Sequence, residues 1–201
     1  MPVKGDAGHG AGRRTQAERR ATTRGALVAA ARELFADRGF AGAAREDIVE
    51  RAGVTRGAMY HHFSSKEDLF QAVYEIIEEE LCTAIAVAAL AAGADPMDQL
   101  RVGALAFLDA AAQPDVRRVV LLDAPSVLPV ERRRELSERY GMGMVREALR
   151  AVMDTGRIDQ QPLEPLAHLV MATLHEAATL VADGADRGEV GQIVERMIAR
   201  L

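Results

Sequence analysis

A short segment of the sequence, residues 55–61 (TRGAMYH), concentrates side chains suited to contacts with phosphates and base edges. Arg, Tyr and Thr donate hydrogen bonds to phosphate oxygens, and the planar fork of an Arg matches the two acceptors of guanine. Gly53 precedes the segment and supplies the positive φ that a tight turn needs. Thr55 is a predicted N-cap. A short polar helix after a tight turn is typical of a helix-turn-helix that reads DNA.

The longer segment 23–74 resembles the DNA-binding domain of the TetR family of one-component bacterial repressors. The residues that carry the resemblance are Ala30, Ala31, Leu34, Phe35, Gly39, Phe40, Ile48, Ala52, Gly53, Val54, Gly57, Tyr60, His61, His62, Phe63, Ser65, Lys66, Glu67 and Leu69. The sequence departs from the family at Ala43 and Ala44, where Thr and then Ser or Thr are usual, and at Val49, where Ala is usual. The two alanines remove a hydroxyl that would cap the following helix and contact a phosphate.

The resemblance implies a set of DNA contacts on and around this helix. We expect base readout by Arg56, phosphate contacts from Tyr60 and Lys66, and a close approach of the backbone at Gly57. The alternative is that each of these residues is an ordinary solvated surface residue. The complete expected set is Arg45, Thr55, Arg56, Gly57, Tyr60, His61 and Lys66.

Charge is distributed unevenly along the chain, which has a net charge of −5. Residues 1–66 hold 12 Lys and Arg against 7 Asp and Glu, for a net charge of +5, whereas residues 67–201 hold 13 against 23, for −10. A positive N-terminal part attracts phosphate and an acidic remainder repels it, although a basic N-terminus is also compatible with a solvated tail. Cys82 is the only cysteine, so an intramolecular disulfide is excluded.

The composition favours an all-α fold, since the chain has no Trp and eight Phe and Tyr residues in total. Hydrophobic periodicity predicts nine helices, of which the first spans about 16–38 and is ended by Gly39, while the fourth opens with a capping box at Ser65. We expect a disordered basic tail (1–14), a three-helix helix-turn-helix domain (15–66) and a roughly six-helix regulatory domain (67–201) for ligand binding and dimerisation. No apolar run of bilayer length is evident, and none begins the chain, which favours a cytoplasmic protein.

In the resembling family the last two helices pair with their copies in a second subunit as a four-helix interface. Apolar stripes on both predicted helices fit this arrangement, and a dimer would read a palindromic site. The alternative is that the stripes belong to the core of one chain. The expected interface residues are Leu169, Thr173, Glu176, Ala177, Leu180, Ile193 and Met197.

The family also binds a small-molecule effector inside the regulatory domain, and we expect a small, largely apolar ligand here. Met and aromatic residues suit an adaptable cavity, although at helical spacing they more often belong to plain core. The candidate lining residues are Phe107, Leu121, Tyr140, Met144, His168, Met171 and His175.

Metal binding and catalysis are not favoured by the sequence, and no cofactor is expected. His61 and His62 are adjacent on a predicted helix and point about 100° apart, so they do not readily share one ion. His175 and Glu176 are likewise neighbours that face apart, without a nucleophile elbow or a phosphate loop. The leading interpretation is a homodimeric, ligand-controlled repressor. The alternatives are a ligand-blind DNA-binding dimer, or an enzyme or small-molecule-binding protein with a degenerate DNA head.

Overall fold

The computed structural model describes residues 15–201, and within that range every regular element is a helix. This confirms the all-α prediction. The helices are α1 (Gln16–Gly42), α2 (Arg45–Arg51), α3 (Arg56–His62), α4 (Lys66–Ala91), α5 (Pro96–Ala111), α6 (116–127), α7 (130–154), α8 (Leu163–Ala182) and α9 (Arg187–Ile198). Nine helices in the described range agree with the predicted number. The expected basic tail, residues 1–14, lies outside the described residues.

Two of the helices contain π-helical turns. In α6 the π-helical stretch is Val116–Asp123, which continues into the α-helical turn Ala124–Val127. In α7 a π-helical turn, Glu138–Met142, separates the α-helical stretches Val130–Ser137 and Gly143–Asp154. A π-helical turn bonds residue i to i+5 rather than i+4, so it shifts which residues face a neighbouring helix.

The end of α1 differs from the prediction that Gly39 stops the helix. Gly39 does break the helical geometry, with φ of +70°, but the helix resumes and ends at Gly42. The break is stabilised by α6, because an Asp123 carboxylate oxygen accepts a hydrogen bond from the Phe40 N–H at 2.6 Å. Arg118 occupies the space where a side chain at position 39 would begin and pairs with Asp123 at 3.2 Å.

The helix-turn-helix is formed by α2 and α3 as predicted. Gly53 makes the turn with φ of +65°, and the Thr55 hydroxyl accepts a hydrogen bond from the Ala58 N–H at 3.2 Å. At the start of α2, Ala44 forms no side-chain cap, which agrees with the expected loss of a hydroxyl there. Ile48 and Met59 point inward and are almost completely buried, which anchors both short helices on the core.

Two hydrophobic cores are present among the described residues. The head core contains the inner faces of α1, α2 and α3, the first part of α4 up to Ile77, and residues of α6 such as Val119. The body core contains Leu81, α5, the second half of α7, α8 and α9. Helix α4 therefore passes from the head core into the body core, and α6, although late in the sequence, packs against the head.

Ion pairs reinforce the contact of α1 with the rest of the chain. Arg32 of α1 donates to both carboxylate oxygens of Glu80 on α4, at 2.7 and 2.9 Å, and to Asp115 before α6 at 2.7 Å. Partly buried guanidinium–carboxylate pairs of this geometry are stronger and more directional than single surface pairs. These ion pairs thus connect α1 to α4 and to the residue that precedes α6.

Helix α8 contains a longer apolar run than the sequence analysis expected of any segment. Leu163–Ala182 is long and apolar enough to cross a membrane by length and composition, so the expectation that no run of bilayer length exists is wrong for this segment. Of its most apolar window, 44% is buried inside the protein. One side of the helix packs in the body core, where Ala167 and Ala178 are fully buried, and the apolar character of the other side is explained below.

Candidate nucleic-acid interface, apolar groove and internal cavity

The outer face of α3 presents the side chains that the sequence analysis assigned to DNA. Thr55, Arg56, Gly57, Tyr60 and His61 are all exposed, and the Arg56 side chain retains 68% of its exposure. A Cβ placed on Gly57 would meet no atom within 4 Å, so the backbone is open to close approach there. The face is therefore accessible along its whole length.

Arg45 of α2 and Arg56 of α3 converge on Tyr60. An Arg45 Nη donates to the Tyr60 hydroxyl at 3.3 Å, and the Arg56 guanidinium lies 5.8 Å from the centre of the Tyr60 ring. Hydrogen bonding from Arg56, then from Arg45, lowers the pKa of the Tyr60 phenol. Glu46 lies 3.6 Å from Arg56 and only partly balances these charges. The result is an exposed group of two guanidinium ions and a phenol, which we call the α3 cluster.

Lys66 is placed differently from the other expected DNA contacts. Its ammonium donates to the carbonyl oxygens of Phe40 at 2.7 Å and Ala43 at 3.1 Å, and it lies 4.2 Å from the centre of the Phe40 ring. These contacts satisfy carbonyl groups left free at the end of α1. Lys66 therefore serves the folding of the head in this structure, and we leave it out of the proposed phosphate contacts.

His61 and His62 at the end of α3 stack edge to face, with ring centres 5.5 Å apart. Burial and the positive neighbours His61, Arg20 and Arg24 lower the pKa of His62. Within residues 15–201 no group of three or more His, Cys, Asp or Glu side chains is arranged to hold a metal ion.

A cavity of about 440 Å³, partly open to the surface, lies between α4, α5, α7 and α8. Four of the seven expected lining residues are found there, namely Phe107, Met144, Met171 and His175. The other three lie elsewhere. Leu121 packs between the two cores, Tyr140 packs against the head core, and His168 is exposed. Tyr140 belongs to the π-helical turn of α7, whose altered register brings its neighbour Gly141 to the cavity wall instead.

A polar stripe on α4 lines the cavity and was missed by the sequence analysis. Tyr74, Glu78 and Cys82 are spaced four residues apart and face the same side of the helix. Burial raises the pKa of the Glu78 carboxyl, against a smaller opposite effect of the Tyr74 hydroxyl, and it raises the pKa of the Cys82 thiol to about 11. The sequence did contain a signal for this stripe, because Glu78 lies at the spacing of the apolar residues on the buried face of α4. A charged residue at such a position is unusual in a helix that passes through a core.

His175 faces this stripe from α8. The centre of its ring lies 5.5 Å from the centre of the Phe107 ring, and desolvation of the imidazole lowers its pKa below the ordinary value of 6.5, which favours the neutral form at pH 7, while the residue keeps exposed surface at the mouth of the cavity. The cavity thus has mostly apolar walls with a few polar groups that converge on it, which is the usual composition of a small-molecule site.

A shallow apolar groove runs between α8 and α9 on the surface. All seven residues that the sequence analysis assigned to an interface line it, together with Ala172, Val190 and Val194. Leu169 keeps 67% of its exposure, and Leu180, Ile193 and Met197 each keep about half. Large apolar side chains gathered in one exposed patch mark an interaction surface more often than isolated ones. This groove accounts for the apolar outer side of α8.

Comparison with known proteins agrees with this architecture. Residues 97–201 match a family model described as "Tetracyclin repressor-like, C-terminal domain", and residues 27–73 match "Bacterial regulatory proteins, tetR family". The transcriptional regulator CymR of Pseudomonas putida is 45% identical over 69 residues, which is 34% of this chain and 34% of CymR. The sequence match therefore spans about a third of that relative's length.

Solved structures match over nearly the whole chain. A TetR-family regulator from Pectobacterium atrosepticum superposes with a TM-score of 0.74 and 29% identity, covering 92% of this chain and 94% of the other. The regulator FadR of Bacillus subtilis, solved in complex with stearoyl-CoA, has a TM-score of 0.73 at 18% identity and covers 87% of this chain and 96% of its own. The likeness to FadR concerns the fold alone.

Proposed function

The chain belongs to the TetR family of bacterial transcriptional regulators, and from this premise we propose that it is a homodimeric, DNA-binding repressor controlled by a small ligand. The observation that carries the proposal is the α3 cluster, in which Arg45, Arg56 and Tyr60 converge on an exposed helix face. A regulator of this kind acts on DNA in the cytoplasm and needs no catalytic group.

Each residue of the α3 cluster has a distinct role in this proposal. Arg56 is free to extend into the major groove, where its fork matches the O6 and N7 acceptors of guanine. Arg45 and the Tyr60 hydroxyl contact phosphates and so fix the position of the helix on the duplex. Thr55 and His61 flank the cluster, and Gly57 lets the α3 backbone approach the DNA.

The groove between α8 and α9 is the proposed dimer interface. One α3 helix reads only a few base pairs, whereas a two-fold symmetric pair reads a palindromic operator with half-sites one or more helical turns apart. The same surface of both subunits meets in such a contact, so an apolar groove lined by Leu169 and Ile193 is covered by its own copy.

Ligand control follows from the path of α4. This helix lines the cavity with its second half and contributes its first half to the head core. A ligand that favours one position of α4 therefore changes the separation of the two heads, and operator DNA must weaken ligand binding by the same factor. A ligand-blind dimer would lack this linkage, and an enzyme would use the cavity for a reaction.

The experiment is a selection of genomic DNA fragments by the purified protein, followed by footprinting and affinity measurements on the recovered site. We expect a protected palindrome. Replacing Arg56 with Ala should weaken binding by about 10-fold or more, because a good bidentate base contact contributes about 1–3 kcal/mol. Tyr60→Phe should weaken binding less and without a change in sequence preference.

Arg51→Ala is the matched control, since it removes one positive charge from the head at a side chain that pairs with Glu33 at 2.8 Å. It should change affinity by no more than about 3-fold. Recovery of no fragment at low salt, or equal affinities of the wild type, Arg56→Ala and Tyr60→Phe, would contradict the proposed DNA reader.

A further inference from the structure

The charged groups on the cavity wall all have the same sign. Among the described residues that line it, Glu78 and Glu147 are acidic, and none is Lys or Arg. The titratable nitrogens on the wall belong to His175, whose pKa is lowered by desolvation of the ring. A mostly apolar cavity with only negative charge disfavours an anionic ligand and favours a cationic one.

Glu78 is the one charged residue that the described part of the chain buries, with 9% of its exposure left. Burial and the Tyr74 hydroxyl determine its pKa, and no cation among residues 15–201 contributes. The charge of Arg133 opposes the rise in the pKa of Tyr74, but Arg133 does not line the cavity. A buried carboxylate without a positive partner is costly, so a site that retains one is a candidate for binding a cation supplied from outside.

The cavity is elongated along α4 and opens at the far end of that helix. Leu90, twelve residues after Glu78, belongs to the lining but keeps 70% of its exposure. At 1.5 Å per residue, Glu78 and Leu90 are about 18 Å apart along the helix. The part of α4 that lines the cavity after Cys82 is apolar and includes Ile85 and Ala89. A ligand with one polar end and a long apolar body matches this arrangement.

We propose that the effector of this protein is an elongated lipophilic amine. Its protonated nitrogen pairs with the Glu78 carboxylate, and the neutral His175 ring and the Tyr74 hydroxyl accept further N–H hydrogen bonds. Its apolar body lies along α4 towards Leu90. This inference rests on the proposed ligand control. It also separates this cavity from an acyl-CoA site, since the described lining residues include no Lys or Arg to bind phosphates.

The test is calorimetric titration of the full chain, without DNA, with three ligands that differ only at one end. Decylamine is a cation at neutral pH, decanol is neutral and decanoate is an anion. We expect decylamine to bind at least about 10-fold more tightly than decanol, and decanoate to bind most weakly, because a buried ion pair stabilises the complex and a buried like-charge pair destabilises it.

Two variants test whether the preference for decylamine depends on the Glu78 carboxyl group. Glu78→Gln should lower the affinity for decylamine by about 10-fold or more and leave that for decanol within about 3-fold, since the amide keeps the size but not the charge. Glu79→Gln is the matched control, because Glu79 is the next residue of α4 and is exposed outside the cavity. It should leave all three affinities unchanged.

The proposal is overturned if decanoate binds as tightly as decylamine, if none of the three ligands binds, or if Glu78→Gln retains the preference for the amine. Binding of Glu78→Gln to the operator fragment is measured separately. Retained operator binding with no amine preference in the wild type contradicts this inference alone, whereas absent operator binding by the wild type contradicts the proposed function.

Discussion

At the scale of single residues, Glu78 has the most informative environment in the described chain. Desolvation disfavours the charged form of a carboxyl group, so the folded state holds this proton more tightly than the unfolded state does. The residue therefore reduces folding stability whenever the pH forces it to ionise. A side chain that lowers stability and faces a cavity has a plausible functional reason to be there.

We expect Glu78→Gln to stabilise the ligand-free protein in a pH-dependent way. The folded pKa of Glu78 lies above the ordinary value of 4.5, so its neutral form is present in both states below that value and the variants differ little there. As the pH rises from 4.5 through the folded pKa, the wild type loses stability relative to the glutamine variant, and the difference then becomes constant.

Urea unfolding at several pH values between 4 and 8 measures this difference. The nearby titratable and charged groups are Tyr74 and Cys82 on α4, His175 on α8, and Arg133 and Glu147 on α7, and they are common to both proteins. Glu79→Gln should show no such trend. A stability difference that is flat or that decreases with pH would show that Glu78 is not desolvated in the folded protein.

At the scale of secondary-structure elements, the end of α1 depends on a helix that is distant in sequence. Gly39 has a positive φ, and an ideal Cβ at that position would lie 2.0 Å from an Arg118 nitrogen of α6. From the local sequence alone, α1 was predicted to end at this glycine. The helix resumes because Asp123 and Lys66 bond the backbone groups that the break leaves free.

Gly39→Ala should destabilise the protein by about 2 kcal/mol or more, since an L-residue in left-handed geometry costs about 1–2 kcal/mol and Arg118 must also move. Gly25→Ala is the matched control on the same helix. A Cβ at position 25 meets nothing within 4 Å, so this change should stabilise the protein by about 0.5–1 kcal/mol. Denaturant unfolding measures both, and equal effects of the two substitutions would contradict the assigned role of Gly39.

At the scale of the whole molecule, the apolar groove between α8 and α9 is a surface that residues 15–201 leave uncovered. Helix α9 has twelve residues and buries one side, with Val194 and Ile198, in the body core. Its other side, with Ile193 and Met197, remains half exposed. A second molecule that covered these side chains would gain about 25 cal/mol per Å² of apolar surface removed from water.

Leu169→Glu should therefore convert a dimer into a monomer, because two introduced carboxylates would be brought close together across a two-fold axis and desolvated. Val87→Glu is the matched control, with 64% exposure at an apolar position of α4 outside the groove. Molar mass from light scattering measures the effect, and loss of the dimer should weaken operator binding by about 100-fold or more. A monomeric wild type, or a dimeric Leu169→Glu, would contradict the proposed interface.

The features that could be predicted from the sequence are those that depend on neighbours along the chain. The caps at Thr55 and Ser65 and the turn at Gly53 join residues no more than a few positions apart, so composition and spacing were sufficient to predict them. The stripes that form the groove follow the same 3.6-residue period and were also predicted. Helix number and fold class follow from these local rules.

The contacts inside the body and at the end of α1 could not be predicted in this way, because they depend on how distant helices pack. Lys66 was expected to contact a phosphate, but its ammonium donates hydrogen bonds to backbone carbonyls at the end of α1. Tyr140 was expected to line the cavity, but it packs against the head core. The π-helical turn of α7 changes the register that a regular helix would have, and the polar stripe from Tyr74 to Cys82 becomes a cavity wall only when α5, α7 and α8 surround it. Such contacts join residues far apart in the chain, so their geometry is determined by packing rather than by sequence spacing.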